Sequence, residues 1–404
     1  MKQSGIDWIG EIPDDWKTRQ IRYLFSLRDE RNYKPLSEVN LISVYTDKGV
    51  LQHSDIEQTT GNKAQNADGY KHVYKNDLVV NIILCWMGAL GISDFDGVTS
   101  PAYDVYAPKD LNTILPKYYH FLFRTPQFNG KCYTEGRGIM QMRWRTYSSE
   151  FKSIKVPLPP KATQQRIAEY LDSKCAQIDS IIEESKKSIE EYKSWKQSVI
   201  FEAVTGKNLN CKKKDSGIEW IGEIPEGWKC LSLKNLCSMQ AGKNLISEQI
   251  ASSGLYPVYG GNGIRGWYDD FNTDGDYILI GRQGALCGNV HKVSGKFWAT
   301  EHAVVTTPKR LFVMVEFLYH LLVGMNLNQY ASNSAAQPGL SVNAILNVKT
   351  ILPPLPEQES IAKMLDSKCT QIDSLIAEKE SLIEDLTEYK KSLIFEVVTG
   401  KRSV

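Results

Sequence analysis

Residues 171–180 read LDSKCAQIDS and residues 365–374 read LDSKCTQIDS. They are the best-matched block of a gapless repeat that pairs Ile154–Lys207 with Val348–Lys401, with 29 identities in 54 positions. Each copy ends in IFE-x-V-TGK. In the second copy Ile361, Leu365, Ile372, Leu375, Leu382, Leu386, Tyr389 and Leu393 recur at steps of three and four. Their counterparts are Ile167, Leu171, Ile178, Ile181, Ser188, Tyr192, Trp195 and Val199. Sustained 3-4 spacing with Glu and Lys between the apolar positions predicts a coiled coil. The expected seam is Ile167, Leu171, Ile178 and Ile181 against Ile361, Leu365, Ile372 and Leu375; Ile182/Ile376 and Ile189/Ile383 broaden the stripe. The prolines of LPPK (158–161) and LPPLP (352–356) stop a strand and launch each helix, and Gly206 and Gly400 end them. One such helix cannot bury its stripe alone. Two tandem copies can bury each other, and an antiparallel pair about a pseudo-twofold axis is the simplest geometry.

A second repeat opens each half. Ser4–Lys17 reads SGIDWIGEIPDDWK and Ser216–Lys229 reads SGIEWIGEIPEGWK, identical at 11 of 14 positions. Between the matched ends lie Thr18–Ser153, 136 residues, and Cys230–Asn347, 118 residues, with little in common. Two similar frames around divergent middles suggest two similar devices working on two different targets. In the first middle VNLISVYT, DLVVNIILCW and AYDVYAP read as strands, IKVPLPP as a closing strand, and Leu115–Arg124 as a short helix. In the second, YPVYGG, DYILIG and HAVVTTP are strands and Val313–Val323 a helix. The expected fold class is α+β: two mixed α/β globules joined by two long antiparallel coiled-coil helices in a tandem repeat. The expected boundaries are globules at 1–157 and 216–351, helices at 158–207 and 352–404, and a charged link at 208–215.

The 404 residues carry 48 basic and 47 acidic side chains, a formal charge of +1, so binding by bulk positive charge is excluded. Local patches are not. Hydrophobic residues make up 42%, enough for packed cores. The polar N-terminus lacks a signal core, and Leu78–Ile92 is too short and too interrupted for a membrane span; it reads as a buried strand pair. A cytoplasmic protein without membrane contact is expected. The eight cysteines form no C-x-x-C and no His pair has zinc spacing, so neither a disulfide framework nor a metal site is expected.

Catalytic motifs are missing. No Walker A sequence exists, GGNGIRGW (260–267) matches a dinucleotide fingerprint only in part, and the six His residues form no triad. Glu191-Tyr192-Lys193 and Glu388-Tyr389-Lys390 resemble the tail of a nuclease motif but fall within the heptads. Polar clusters are present instead. Arg137, Gln141, Arg143, Trp144 and Arg145 lie within nine residues. Arg can hold guanine O6/N7 and Gln adenine N6/N7, while aromatic rings stack or wedge; a solvated basic loop is the alternative. In the second middle Tyr259, Asn262, Arg282 and Gln283 sit beside glycines. These let a backbone approach a ligand or simply make tight turns. Met87–Gly91 holds a comparable place in the first middle. Trp8, Trp16, Trp220 and Trp228 form an apolar motif in both openings, read either as core packing or as a docking surface for a partner.

The WIGEIP-x-x-W openings, the divergent middles and the two LPP-led helices together resemble the specificity subunit of type I restriction–modification systems over essentially the whole chain. LPPLPEQESIAKMLD (352–366), YGGNGIRG (259–266) and IGRQGALCG (280–288) carry the resemblance most specifically. LPPKATQQRIA (158–168) departs from LPPLPEQ at Lys161 and Thr163 but keeps Gln164 and Ile167. The resemblance implies that each middle is a target recognition domain reading one half of a bipartite site in double-stranded DNA, with the helices setting the gap. It implies two docked methyltransferase subunits and further restriction subunits. It also implies no catalysis and no cofactor in this chain: S-adenosylmethionine belongs to the methyltransferase, ATP and Mg to the restriction subunit. A structural coiled-coil adaptor without base-specific recognition is the competing reading.

Overall fold

The computed structural model describes residues 1–55, 66–138, 144–284, 286–332 and 339–404. It divides into two compact units, Met1–Glu184 with Ser381–Val404, and Ser185–Glu380. Each takes part of two long helices, Lys161–Thr205 and Leu355–Val398. None of the helices among the described residues is long and apolar enough to cross a membrane.

The divergent middles share one topology. In the first unit a four-stranded antiparallel sheet runs in the order Phe25–Arg28, Tyr103–Pro108, Leu78–Asn81, Leu90–Ile92. The second unit repeats it with Cys237–Ala241, Ala303–Pro308, Tyr277–Gly281 and Val290–Val293. In both, the first strand in the chain pairs with the last. The central strand LVVN is buried on both faces: Leu78 and Val80 enter the helical core, and Val79 packs in a second cluster with Ile42, Val44 and Val73. Ile278 and Ile280 make the same split from Leu279. Burial on both faces explains why these strands read as unbroken apolar runs rather than alternating ones. A closing strand, Lys155–Leu158 or Lys349–Leu352, pairs antiparallel with Lys17–Gln20 or Lys229–Ser232 directly after the tryptophan motif. The units differ in their secondary sheets. The first adds the hairpin Ile42–Tyr45/Gly49–Gln52, while the second adds a four-stranded sheet that contains one parallel pair, Tyr256–Gly260 with Lys296–Ala299.

A glutamine fastens each long helix to its globule. Gln164 is fully buried; it accepts from the Leu115 amide at 2.8 Å and donates to the carbonyls of Thr113 at 3.0 Å and Pro159 at 2.9 Å. Gln358 repeats the set, with the Met314 amide at 3.0 Å and the carbonyls of Phe312 at 3.0 Å and Pro353 at 2.9 Å. A side-chain amide is the group that supplies both donors and an acceptor at one buried point. This is why Gln164 is kept where Lys161 and Thr163 depart from the repeat. The missing Glu also has a local role, since Glu357 accepts from Trp228 Nε1 at 2.7 Å and Thr163 stands in its place in the first copy. Each helix ends on a glycine packed against a tryptophan motif. A Cβ on Gly206 would lie 2.6 Å from Pro225 and 3.0 Å from Trp228; one on Gly400 would lie 2.4 Å from Pro13 and 3.0 Å from Trp16.

Within each unit the start of one long helix packs against the end of the other, so the pair is antiparallel. Ile167, Leu171 and Ile178 share the first core with Leu393, Val397 and Val398; Ile361 and Leu365 share the second with Ile200, Ala203 and Val204. Ile372 is buried as well. Two equivalent ion pairs cross between the helices, Lys390 to Asp179 and Lys196 to Asp373, each at 2.6 Å. Ile181 and Leu375 correct the expected seam: they are 44% and 38% exposed. The buried and half-buried line instead runs 171, 175, 178, 182, 185, 189 and 365, 369, 372, 376, 379, 383. A strict seven-residue repeat keeps Ser185 and Lys379 on the seam although they are polar.

Candidate nucleic-acid interface

Two loops meet at one place in each unit. The first follows the central strand. In the first unit Asn81 Oδ1 accepts from the amides of Ile83 at 3.1 Å and Leu84 at 3.3 Å, opening a tight turn through Cys85–Met87 that closes on Gly88 at φ 94°. In the second unit the strand runs into Gly281-Arg282-Gln283-Gly284, and Gly288 closes the turn at φ 92°. A side chain at either closing glycine would hold a strained left-handed backbone.

The second loop is a hairpin. Arg137 and Arg145 exchange both backbone hydrogen bonds, at 2.9 and 3.0 Å. Ser332 and Gly339 do the same at 2.9 and 3.4 Å. One further bond ties hairpin to turn in each unit: Thr146 N donates to Ile82 O at 3.0 Å, and Leu340 N donates to Arg282 O at 2.9 Å. Ile82 and Arg282 therefore occupy one structural position, an equivalence that the dissimilar sequences conceal.

The side chains on this shared frame differ. Arg137 is 69% exposed, forms a 3.1 Å ion pair with Glu150, and lies over the Tyr147 ring at 5.1 Å. Arg145 is half-buried. Trp144 stacks on Tyr133 at 4.9 Å and donates from Nε1 to the Tyr133 carbonyl at 3.0 Å. Gly136 makes room for it, because a Cβ there would lie 2.4 Å from Trp144 Nε1. Gln141 and Arg143 lie outside the described residues. In the second unit Arg282 donates its amide to His302 O at 2.9 Å, so its main chain is held on both sides. With Gln283, Ser341 and Asn343, Arg282 lines an open cavity of 440 Å³. The neighbouring glycines serve loop-on-loop packing: a Cβ on Gly281 would lie 2.1 Å from Gly261 O. Asn262 accepts from Asn289 Nδ2 at 2.6 Å across the same contact. Tyr259 packs edge-on to Phe297 at 5.5 Å, and burial raises its hydroxyl pKa.

The tryptophans are used inside their own units, which corrects Trp16 and Trp228 as docking residues. They are 4% and 1% exposed, in the cores beneath the helix ends. Trp8 is half-buried edge-on to Phe128 at 5.6 Å, and Trp220 donates to Lys349 O at 3.2 Å. The motif's apolar spacing is that of a plug under a helix terminus.

Sequence reasoning missed Arg124. Half-buried, it donates to the carbonyls of Asp47 at 2.6 Å, Leu90 at 3.1 Å, Gly88 at 3.2 Å and Thr46 at 3.4 Å. It staples the hairpin at 42–52 to the turn that closes on Gly88, and burial lowers its pKa. Its partners are main-chain atoms distant in sequence, so no side-chain pattern announces it. Beside the long helices each unit also has a large cleft, 1040 Å³ in the first and 870 Å³ in the second. The aspartate of LDSK bridges helix to globule there, Asp172 to Lys117 and Asp366 to His320 Nε2 at 2.8 Å. Burial lowers the His320 pKa, opposed by Asp366. Among the described residues no group of three or more His, Cys, Asp or Glu is placed to hold a metal ion.

Two like-folded units, each presenting a turn and a hairpin with its own polar side chains, define a modular recognition protein. The profile of the type I restriction modification DNA specificity domain matches residues 13–191 and 225–385, and the chain belongs to that family. It is 44% identical over 148 residues to the type I restriction enzyme EcoprrI specificity subunit of Escherichia coli, a match spanning 36% of each chain. It is 26% identical over 425 residues to the MjaVIII specificity subunit of Methanocaldococcus jannaschii, across 96% of this chain and 93% of that one. The fold matches a chain from a structure described as "Structural basis underlying complex assembly and conformational transition of the type I R-M system". The TM-score is 0.72 at 14% identity, over 97% of this chain and all of that one. It also matches the HsdS subunit from Thermoanaerobacter tengcongensis, with a TM-score of 0.54 at 15% identity and full coverage of both chains.

Proposed function

We propose that this chain is the DNA-reading subunit of a type I restriction–modification complex, and that each unit reads one half of a bipartite site in double-stranded DNA. The observation that carries the reading is one turn-and-hairpin frame, built twice and furnished with different side chains. A purely structural adaptor has no need of that difference. The reading domains correspond to residues 1–157 and 216–351, and the segments 158–207 and 352–404 set the spacing. Arg137, Gln141, Arg143 and Arg145 in the first domain, and Tyr259, Asn262, Arg282 and Gln283 in the second, are the candidate DNA contacts. Phosphate contacts then position the chain and base-edge contacts specify the site.

In this reading the chain performs no chemistry. Two methyltransferase subunits carrying S-adenosylmethionine dock on the repeated frame, and restriction subunits using ATP and Mg complete the complex in the cytoplasm. The test is to replace residues 18–153 with the corresponding segment of another family member, co-express with the methyltransferase, and map methylated bases genome-wide. One half of the recognised site should change while the other half and the gap stay constant. A change in both halves, or in neither, overturns one domain per half-site.

A further inference from the structure

We infer that the residue following the central strand, Arg282 in the second unit and Ile82 in the first, is a base-specifying position, and that Arg282 reads a guanine. The inference rests on the proposal that the second unit reads DNA and assigns one base class to one side chain.

The two positions are equivalent by backbone geometry. Each follows directly on its central strand, and each carbonyl accepts the bond that ties turn to hairpin, at 3.0 Å for Ile82 and 2.9 Å for Arg282. Each turn closes six residues later on a glycine with φ near 93°, Gly88 at 94° and Gly288 at 92°. The backbone is thus fixed while the side chain is free to vary, which is what a reading position requires.

The chemistry at the two positions is opposite. Among the described residues nothing hydrogen-bonds or ion-pairs with the Arg282 guanidinium. Its main chain is held at both the amide and the carbonyl, so the side chain leaves from a rigid base. Arg282 lines the open 440 Å³ cavity beside Gln283, Ser341 and Asn343, polar residues that supply both donors and acceptors. A guanidinium presents its donors as a planar fork, which matches the O6 and N7 acceptors on the major-groove edge of guanine. Arg124 shows the opposite use of an arginine in this protein: its fork is spent on four main-chain carbonyls. Ile82 carries no hydrogen-bonding group on its side chain, and the apolar feature that a base pair offers in the major groove is the thymine methyl.

The test uses the full chain co-expressed with its methyltransferase, with methylated sites mapped genome-wide and binding of the purified complex measured on duplexes varied at single positions. The wild-type complex should require guanine at one position of the second half-site. Arg282→Met should lose discrimination at that position by about 5- to 150-fold. The first half-site, the gap and the melting temperature should stay constant. Ile82→Ala should relax one thymine position in the first half-site only. An unchanged site in Arg282→Met overturns the inference, as does equal weakening on every duplex, the behaviour of a phosphate contact. A lower melting temperature with unchanged base preference overturns it too. Absence of a bipartite site in the wild-type map refutes the DNA-reading proposal itself, an outcome separate from the first three.

Discussion

His120 links packing to pH. It is half-buried in the helix Pro116–Phe123, and its Nδ1 accepts from the Ile92 amide at 3.3 Å, so that nitrogen must be unprotonated. Burial, with help from the nearby charges of Arg124 and Lys117, pushes its pKa down to about 4. The unfolded chain holds the histidine near its ordinary value of 6.5. The folded state therefore binds the proton less readily than the unfolded one. The stabilisation is complete above about pH 6.5 and is lost as pH falls towards 4, at up to about 1.4 kcal/mol per pH unit and about 3 kcal/mol in all. Urea unfolding of the first unit, measured between pH 7 and 4.5, should show this slope, and His120→Gln should remove it. A slope unchanged in the variant would show that other groups carry the acid sensitivity. No sequence pattern marks His120, because its partner is a main-chain amide 28 residues away in the chain.

At the scale of elements, the long helices are where pattern reading was strongest and still misplaced two residues. Apolar spacing announced the helices, but several apolar lines run along each of them. Ile181 and Ile182 are both isoleucine, and only packing decides which one faces the partner helix. Ile178 lies in the core and Ile181 is exposed. Ile178→Asp should destabilise by several kcal/mol, because it buries a charge without a partner. Ile181→Asp should stay within about 0.5 kcal/mol, as surface substitutions do. Chemical denaturation of the two variants side by side checks the register, and equal effects would place the seam elsewhere. The interhelical pairs Lys390–Asp179 and Lys196–Asp373 are partly exposed, so each contributes about 0–1 kcal/mol and serves alignment more than stability.

For the whole molecule, the proposed division of labour gives spacing to the helices and sequence to the globules. Inserting one helical turn lengthens a helix by about 5.4 Å, between one and two base-pair steps of DNA. It has to be inserted in both helices at equivalent places, or the seven-residue seam falls out of register. Such a variant, co-expressed with the methyltransferase, should methylate a site with the same bases and a wider gap. A constant gap in a variant that still assembles would show that the helices do not set the spacing.

The repeats LDSKC and WIGEIP were enough to establish a tandem organisation, two long antiparallel helices and two enclosed globules, because repetition and heptad spacing are local and periodic. Most strands of the globules were legible for the same reason: LVVN and YILIG are apolar runs of strand length. The single topology shared by the divergent middles was not legible. Strand order depends on backbone pairing between residues far apart, and many side-chain sets satisfy one pairing. The roles of Arg124, Gln164 and Gln358 were hidden too, since their partners are carbonyls and amides, which every residue carries. The tryptophans show the same limit from the other side. Their spacing marked a conspicuous apolar motif, but only the helix ends at Gly206 and Gly400 closing over Trp228 and Trp16 made it core rather than surface. A sequence carries its periodicities openly, whereas which face is covered, and by what, is decided when distant segments meet.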